Sequence, residues 1–393
     1  MRRSSQKAGL LALAAHLSVA SAACAAGVTD SEIVIGTHLG LSGPVAAAMP
    51  PIRNGMQMRI DEANEAGGVN GRKLRLVVED NAYQPGTAVR AVQKLTREDR
   101  VFAILNAFGS GPNAAAIKLA ADSGTIYFAP WGASAVFHLQ SGRSPLVFTT
   151  IPNYDSTTAA GLSWIIRNWN MKRIGVIYQD DAFGELLRRG VKVALEAAEL
   201  KPAAEASYRP GAGEFSTQVS SVRQAGAEVV VLAAATREVI GIMAQVKNIG
   251  WTDARVLATL PGRTQFVARL GRNTLEGLYG IGAWRIVETD SADPRARSWI
   301  ESFRSRFGTE PDENAALAYS YADWFVQGLQ AAGRDLTTDS FIKAMQGFEH
   351  VDFIGYAKTS FKNNHISPEV VRIEQVRRGR WVSVSPDIVP GSR

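Results

Sequence analysis

Cysteine is almost missing: the 393-residue chain holds one, Cys24, inside its N-terminal leader. Past the leader, disulfides, thiol nucleophiles and cysteine-ligated metals are therefore excluded. Histidine is scarce as well. The four beyond the leader, His38, His138, His350 and His365, have no metal-ligand spacing, so surface or turn roles are expected for them. A dominant charge is absent too. The formal charge of +6 falls to +3 once Arg2, Arg3 and Lys7 of the leader are set aside, too mild a balance to imply a nucleic-acid partner. The apolar run in the leader is too short, and too poorly flanked, for a stable membrane span.

What is present starts with that leader. A basic tip, Met1-Arg2-Arg3-Ser4-Ser5-Gln6-Lys7, precedes the apolar stretch Ala8 to Ala15 and a small-residue exit through Ala22, Ala23, Cys24, Ala25, Ala26 and Gly27. Charged tip, short apolar run and small-residue exit are what a secretory signal peptide requires, so residues 1–26 are expected to be removed and the mature chain to be periplasmic. Lipid anchoring at Cys24 is the minor alternative, disfavoured because Ser21 stands where a bulky aliphatic is usual. With 46% hydrophobic and 20% charged residues the rest is globular in composition. Roughly 370 residues exceed what one core organises, which predicts two domains.

From Glu32 onward, short β-branched runs alternate with longer amphipathic stretches. Strands are predicted at Ile33–Gly36, Lys73–Glu79, Val101–Asn106, Thr125–Ala129 and Pro145–Thr150, with helices over residues 52–66, 113–123 and 156–168. A second series follows: strands Arg173–Tyr178, Ala203–Tyr208, Glu228–Ala233 and Arg255–Thr259, with helices Gly184–Leu200, Ser216–Ala225 and Glu238–Ile249. Two such series predict two doubly wound parallel-sheet domains.

Single residues say less. The acid pairs Glu79-Asp80 and Asp180-Asp181 lie at strand ends, where helix capping and loop hydrogen bonding are the commoner roles. Gly109-Ser110-Gly111-Pro112-Asn113 follows a buried strand and opens a helix, which aims backbone N–H groups and the Ser110 hydroxyl at an anion beyond the sheet edge. It is not a P-loop, a dinucleotide fingerprint or a nucleophile elbow; a plain tight turn is the alternative.

Asn64-Glu65-Ala66-Gly67-Gly68-Val69-Asn70-Gly71-Arg72-Lys73 followed by Val78-Glu79-Asp80-Asn81 resembles the helix–turn–strand signature of the periplasmic binding proteins of branched-chain amino acid ABC transporters. Ile35-Gly36 through Leu41-Ser42-Gly43-Pro44, Ile177 through Gly184, and Tyr208-Arg209-Pro210-Gly211 through Phe215-Ser216 agree, in family order across the chain. The resemblance implies an α/β, type I periplasmic binding protein fold: two doubly wound parallel-sheet lobes joined by a three-stranded hinge. Crossings are expected near Ile151, Ala283 and Phe353, giving lobe 1 as 28–150 plus 284–353 and lobe 2 as 151–283 plus 354–393.

By the same resemblance the carboxylate-holding serine falls on Ser110, after Phe108-Gly109. The second lobe-1 contact segment falls on Trp131, Ala133 and Ser134, and the lobe-2 aromatic on Phe183, with Tyr154 a further ring. Where family members that bind α-amino acids place acids and a tyrosine, this chain has Asn153, Thr236 and Pro261. A buried ammonium without a counter-charge is costly, so an aromatic or other non-amino carboxylate is expected. Arg237 or Arg263 is a candidate second anion contact, the alternative being a solvated loop residue. The implied partners are the small carboxylate or amino acid and an ABC transporter permease, with a monomer, no cofactor and no catalysis expected. A branched-chain amino acid carrier and a ligand-sensing receptor are the alternatives.

The leader predicts a mature N-terminus close to Ala26 or Gly27. Intact mass of protein from the native host measures it; a mass retaining residues 1–20 contradicts export with cleavage, and a diacylated Cys24 establishes the anchored form.

Overall fold

The computed structural model describes residues 25–270, 274–286, 288–350, 359–366 and 369–391. The leader with Cys24 and the expected crossing at Phe353 lie outside them. Five strands, β1 (Glu32–Leu39), β2 (Lys73–Asp80), β3 (Ala103–Leu105), β4 (Ile126–Phe128) and β5 (Val147–Phe148), form one parallel sheet in the order β2-β1-β3-β4-β5. β1 is buried along seven of its eight residues, as a central parallel strand covered on both faces must be.

The helices between these strands are α1 (Met49–Glu65), α2 (Pro85–Arg97), α3 (Ser110–Asp122) and α4 (Ser134–Gln140). The second sheet begins after α5 (Tyr154–Trp169) with β6 (Ile174–Gln179), β7 (Ala204–Tyr208), β8 (Val229–Ala233), β9 (Arg255–Ala258) and β10 (Tyr279–Gly282). Helices α6 (Ala182–Ala197), α7 (Ser216–Gln224), α8 (Thr236–Asn248) and α9 (Gln265–Leu270) alternate with them. The chain then returns to the first lobe with α10 (Pro294–Phe307), α11 (Glu313–Ala332) and α12 (Thr338–Gln346). Gly55 of α1 lets α11 approach closely, since a Cβ there would stand 2.1 Å from the Ala315 carbonyl oxygen. Phe325 and Phe341 of α11 and α12 pack on Phe128 of β4 with ring centroids 5.4 and 6.1 Å away.

Two short strands, β11 (Glu349–His350) and β12 (Thr359–Ser360), pair with each other, and Phe361 and Ile366 just beyond pack in the first lobe's core. The last strands, β13 (Arg372–Arg377) and β14 (Arg380–Ser383), complete the second sheet in the order β14-β13-β10-β9-β8-β6-β7. The parallel sheet carries an antiparallel edge: β13 runs antiparallel to β10, and Arg378 (φ 53) and Gly379 (φ 75) make the two-residue turn that reverses the chain again into β14.

Where the chain passes back from β10 to the first lobe, the Arg263 guanidinium is 1% exposed and binds Glu374 of β13, Glu313 at the start of α11 (3.2 Å) and the Trp284 carbonyl (3.2 Å). Glu313 also accepts the Trp284 indole N–H and the Gln265 backbone N–H (2.7 Å). Arg263 is thus neither a solvated loop residue nor a free anion contact, and that expectation is corrected. It joins residues of both lobes in a buried ion-pair cluster. Removing one member leaves buried charge uncompensated at a cost of about 3–5 kcal/mol. Arg263→Met is therefore predicted to lower unfolding free energy by that amount in urea titrations, and a loss under about 1 kcal/mol contradicts the role assigned here.

Candidate functional site

Both sheets reverse their strand order once, and in open α/β sheets ligands bind outside the carboxyl ends of the strands at such points. In the first sheet the reversal falls between β1 and β3, which places the loop Asn106–Ser110 at the opening. In the second it falls between β6 and β8, which places Asp181 and the start of α8 there. The two openings face each other: the Tyr83 hydroxyl of the first lobe approaches Asp181 Oδ2 of the second at 3.4 Å, and Phe183, Leu186 and Ala233 share a core with first-lobe residues.

Ser110 is the first residue of α3, 2% exposed, and its hydroxyl has no hydrogen-bond partner. Gly109 before it (φ 109) donates its N–H to the Trp131 carbonyl at 3.1 Å. Gly132 (φ 134) crowds the same spot, since a Cβ on it would meet Ser110 Oγ at 2.6 Å. The Ser110 hydroxyl lies beside the N–H groups of Ser110 and Gly111 that open α3; Pro112 has no N–H, and that of Asn113 donates to the Gly109 carbonyl (2.9 Å).

A wholly buried relay fixes this loop. Asn81 accepts from the Tyr83 N–H (2.7 Å) and donates to the Phe108 carbonyl (2.9 Å), so its amide also donates to His38 Nδ1 (2.8 Å). His38 must then donate from Nε2 to the Tyr127 hydroxyl (2.6 Å), which donates to Asn113 Oδ1 (2.8 Å). Asn113 passes its N–H groups to the Ala107 and Trp131 carbonyls at 2.9 and 3.1 Å. Rings cover the site: Phe108 lies 6.1 Å from Trp131 and 6.3 Å from Tyr83, and Tyr154 meets Phe183 edge-on at 5.7 Å. Ala82 (φ 51) and Tyr83 (φ 57) take left-handed conformations, held by Asp80 and Asn81 side chains that accept their N–H groups.

The structure brings Phe108, Gly109, Ser110, Trp131, Tyr154 and Phe183 to this seam, and Ala133 is buried at the start of α4. Other expected residues are occupied elsewhere. The Ser134 hydroxyl donates to the Ile151 carbonyl at 2.5 Å. The Asn153 amide N–H donates to Glu369 (2.8 Å) while its amide oxygen is buried without a partner, Thr236 meets Thr264 (3.2 Å), and Pro261 lies half-buried in a short 3-10 turn. Arg237 is exposed and donates to the Gly211 carbonyl.

Sequence reasoning missed Tyr83 at the seam, the buried His38 relay and the buried acid Glu238. Glu238, 6% exposed in the first turn of α8, is an acid two residues past Thr236, so the second lobe is less devoid of acids than expected. Asp181 caps α6 by accepting the Phe183 and Gly184 N–H groups, and its other oxygen takes Gln179. The surface or turn role expected of the histidines is corrected for His38, which is fully buried, and for His138 and His365, which bond Thr149 at 2.8 and 2.6 Å beside the first crossing.

Two facing switch points, a helix start with a buried unpartnered hydroxyl and an aromatic wall define a two-lobed fold with a cleft between its lobes. The periplasmic binding protein family model matches residues 32–380, and the chain belongs to that family. It is 23% identical over 96% of both chains to a Leu/Ile/Val-binding protein homolog of Brucella suis. A fatty acid ABC transporter substrate-binding protein from Thermomonospora curvata superposes with a TM-score of 0.80 at 22% identity, covering 93% of this chain and 94% of that one. An ABC transporter solute binding protein from R. palustris in complex with benzoate superposes equally, with a TM-score of 0.80 at 16% identity over 92% and 98%. Among the described residues no helix is long and apolar enough to cross a membrane.

Burial lowers the His38 pKa from 6.5 to about 3, and burial with the charges of His365 and Arg143 lowers that of His138 to about 4. Both folded values lie below the unfolded one, so this stability is complete above pH 6.5 and is lost as pH falls toward those values. Each group adds a slope of about 1.4 kcal/mol per pH unit. Urea unfolding at a series of pH values tests this; His38→Gln is predicted to shrink the slope, and an unchanged slope contradicts the relay.

Proposed function

We propose that this protein is the extracytoplasmic solute-binding component of an ABC transporter. In this reading it captures a small non-amino carboxylate, aromatic ones first, between lobes that close about their crossings, and presents the closed form to a membrane permease. Export through the leader, and binding without chemical turnover, belong to the same reading. The observation that carries it is the Ser110 hydroxyl, buried and unpartnered at the start of α3. A carboxylate bonded there would satisfy it and the helix N–H groups together.

The rings support an aromatic body, since apolar area gains about 25 cal/mol for each Å² buried. The acids near the seam argue against an ammonium. Asp181 and Glu369 already accept backbone and side-chain donors through both oxygens. Burial raises the pKa of Glu238, which favours its neutral form. The benzoate complex of the R. palustris relative is consistent with this class of ligand.

Calorimetric titration with benzoate, phenylpropanoate, keto acids and branched-chain amino acids is expected to rank the aromatic acids above leucine, isoleucine and valine. Ser110→Ala is expected to weaken binding by roughly ten- to a hundredfold, the loss of one charge-assisted hydrogen bond. A branched-chain amino acid binding at micromolar affinity while all non-amino acids fail overturns the reading.

A further inference from the structure

We propose that Tyr83 is a clasp residue: carried on a stiff pair of first-lobe loops, its hydroxyl holds the second lobe at Asp181 when the lobes are together, and so sets how slowly a bound ligand leaves. This rests on the reading of the cleft as a ligand site and assigns the contact that keeps it shut.

β1 and β2 run side by side, and the loops that follow them are tied together. Asp80, the last residue of β2, accepts the Ser42 hydroxyl (2.6 Å) and the Ser42 N–H (3.2 Å) from the loop after β1, and the Ala82 N–H (2.8 Å) from its own. Gly43 presses on the same turn, since a Cβ there would stand 2.8 Å from the Ala82 carbonyl oxygen. The Asn81 side chain accepts the Tyr83 N–H at 2.7 Å. These contacts hold Ala82 and Tyr83 in left-handed conformations, which cost free energy and persist only where the surroundings over-determine them. The Tyr83 ring lies against Gly109, where a Cβ would stand 3.1 Å from Tyr83 Cε2, one residue before Ser110.

This pair of loops touches the second lobe at two points. The Tyr83 hydroxyl donates to Asp181 Oδ2 at 3.4 Å, and Pro44 meets Gly211, on which a Cβ would stand 3.2 Å from the Pro44 Cβ. Opening the lobes must part both. Asp181 is itself fixed to the start of α6, because its other oxygen accepts the Phe183 and Gly184 N–H groups at 3.0 Å each. The clasp therefore joins the loop that carries Ser110 to the helix start that carries the Phe183 ring. Burial first, and then the Asp181 charge, push the Tyr83 phenol pKa further up, so the hydroxyl keeps its proton and donates. A bond made only between joined lobes slows escape of every ligand alike, whereas a contact with the ligand itself discriminates among them.

Past the leader the chain has no cysteine, so one introduced pair reports closure without any ligand. Pro44→Cys with Gly211→Cys in the full mature chain puts two thiols on Cβ atoms close to disulfide spacing, and their oxidation rate follows the population with joined lobes. Adding Tyr83→Phe, which keeps the ring, is expected to slow that oxidation roughly three- to tenfold, the effect of one hydrogen bond. Strain from a side chain at Gly211 (φ 80) is common to both proteins and cancels in the comparison. In an Asp181→Ser background, which keeps a helix cap, Tyr83→Phe is expected to add nothing further. Without the cysteine pair, Tyr83→Phe should quicken stopped-flow dissociation of benzoate and of phenylpropanoate by one common factor, with association rates within about twofold. A pair that never oxidises, an unchanged oxidation rate, a full Tyr83→Phe effect beside Asp181→Ser, or unequal factors for the two acids overturns the clasp. Failure of both acids to bind overturns the carboxylate reading, while the oxidation rates, which need no ligand, still decide the clasp.

Discussion

The constraint on which the site depends is the burial of a polar group with nothing to bond. The Ser110 hydroxyl is shut in by Gly132 behind it and by Phe108 and Trp131 at its side. A buried donor without a partner costs about 1–3 kcal/mol. The surrounding network keeps it so: Asn113, which opens toward the same loop, gives both of its N–H groups to Ala107 and Trp131. With Asn113 so committed, the Ser110 hydroxyl is left for a ligand.

That rigidity contrasts with what the crossings require. Binding proteins of this fold admit ligand by rotating rigid lobes about short connections. The buried cluster of Arg263, Glu313, Glu374 and Trp284 sits at one of those connections and resists shear by geometry, because a guanidinium fork held on two sides cannot slide without exposing charge. The other crossing is softer in chemistry, a chain of neutral and singly charged bonds from His138 through Thr149 and His365 to Glu369 and Asn153.

Much of the fold was legible because parallel strands buried on both faces read as β-branched runs, and β1, β6 and β8 are of that kind. What escaped was the shell: α2, α4 and α10 to α12, and the C-terminal hairpin, whose turn is marked only by Arg378-Gly379. The same division holds at the site. Ser110 was legible because a glycine turn between strand and helix has a local chemistry. Tyr83 was not, since it reaches Asp181 from the loop after β2 and only the tertiary arrangement brings the two together. Arg263 misled for a related reason: a lone arginine after a Pro-Gly turn reads as exposed until Glu313 and Glu374, distant in sequence, are folded around it.

The central claim is that the ligand's carboxylate sits on Ser110 between the lobes. A crystal structure of the protein soaked or grown with benzoate or para-hydroxybenzoate tests it most directly. The account predicts a carboxylate oxygen about 2.7 Å from Ser110 Oγ and a second within bonding distance of an N–H in the first turn of α3, with the ring between Phe108 and Phe183. A carboxylate bound elsewhere, with the Ser110 hydroxyl still unbonded, would contradict it.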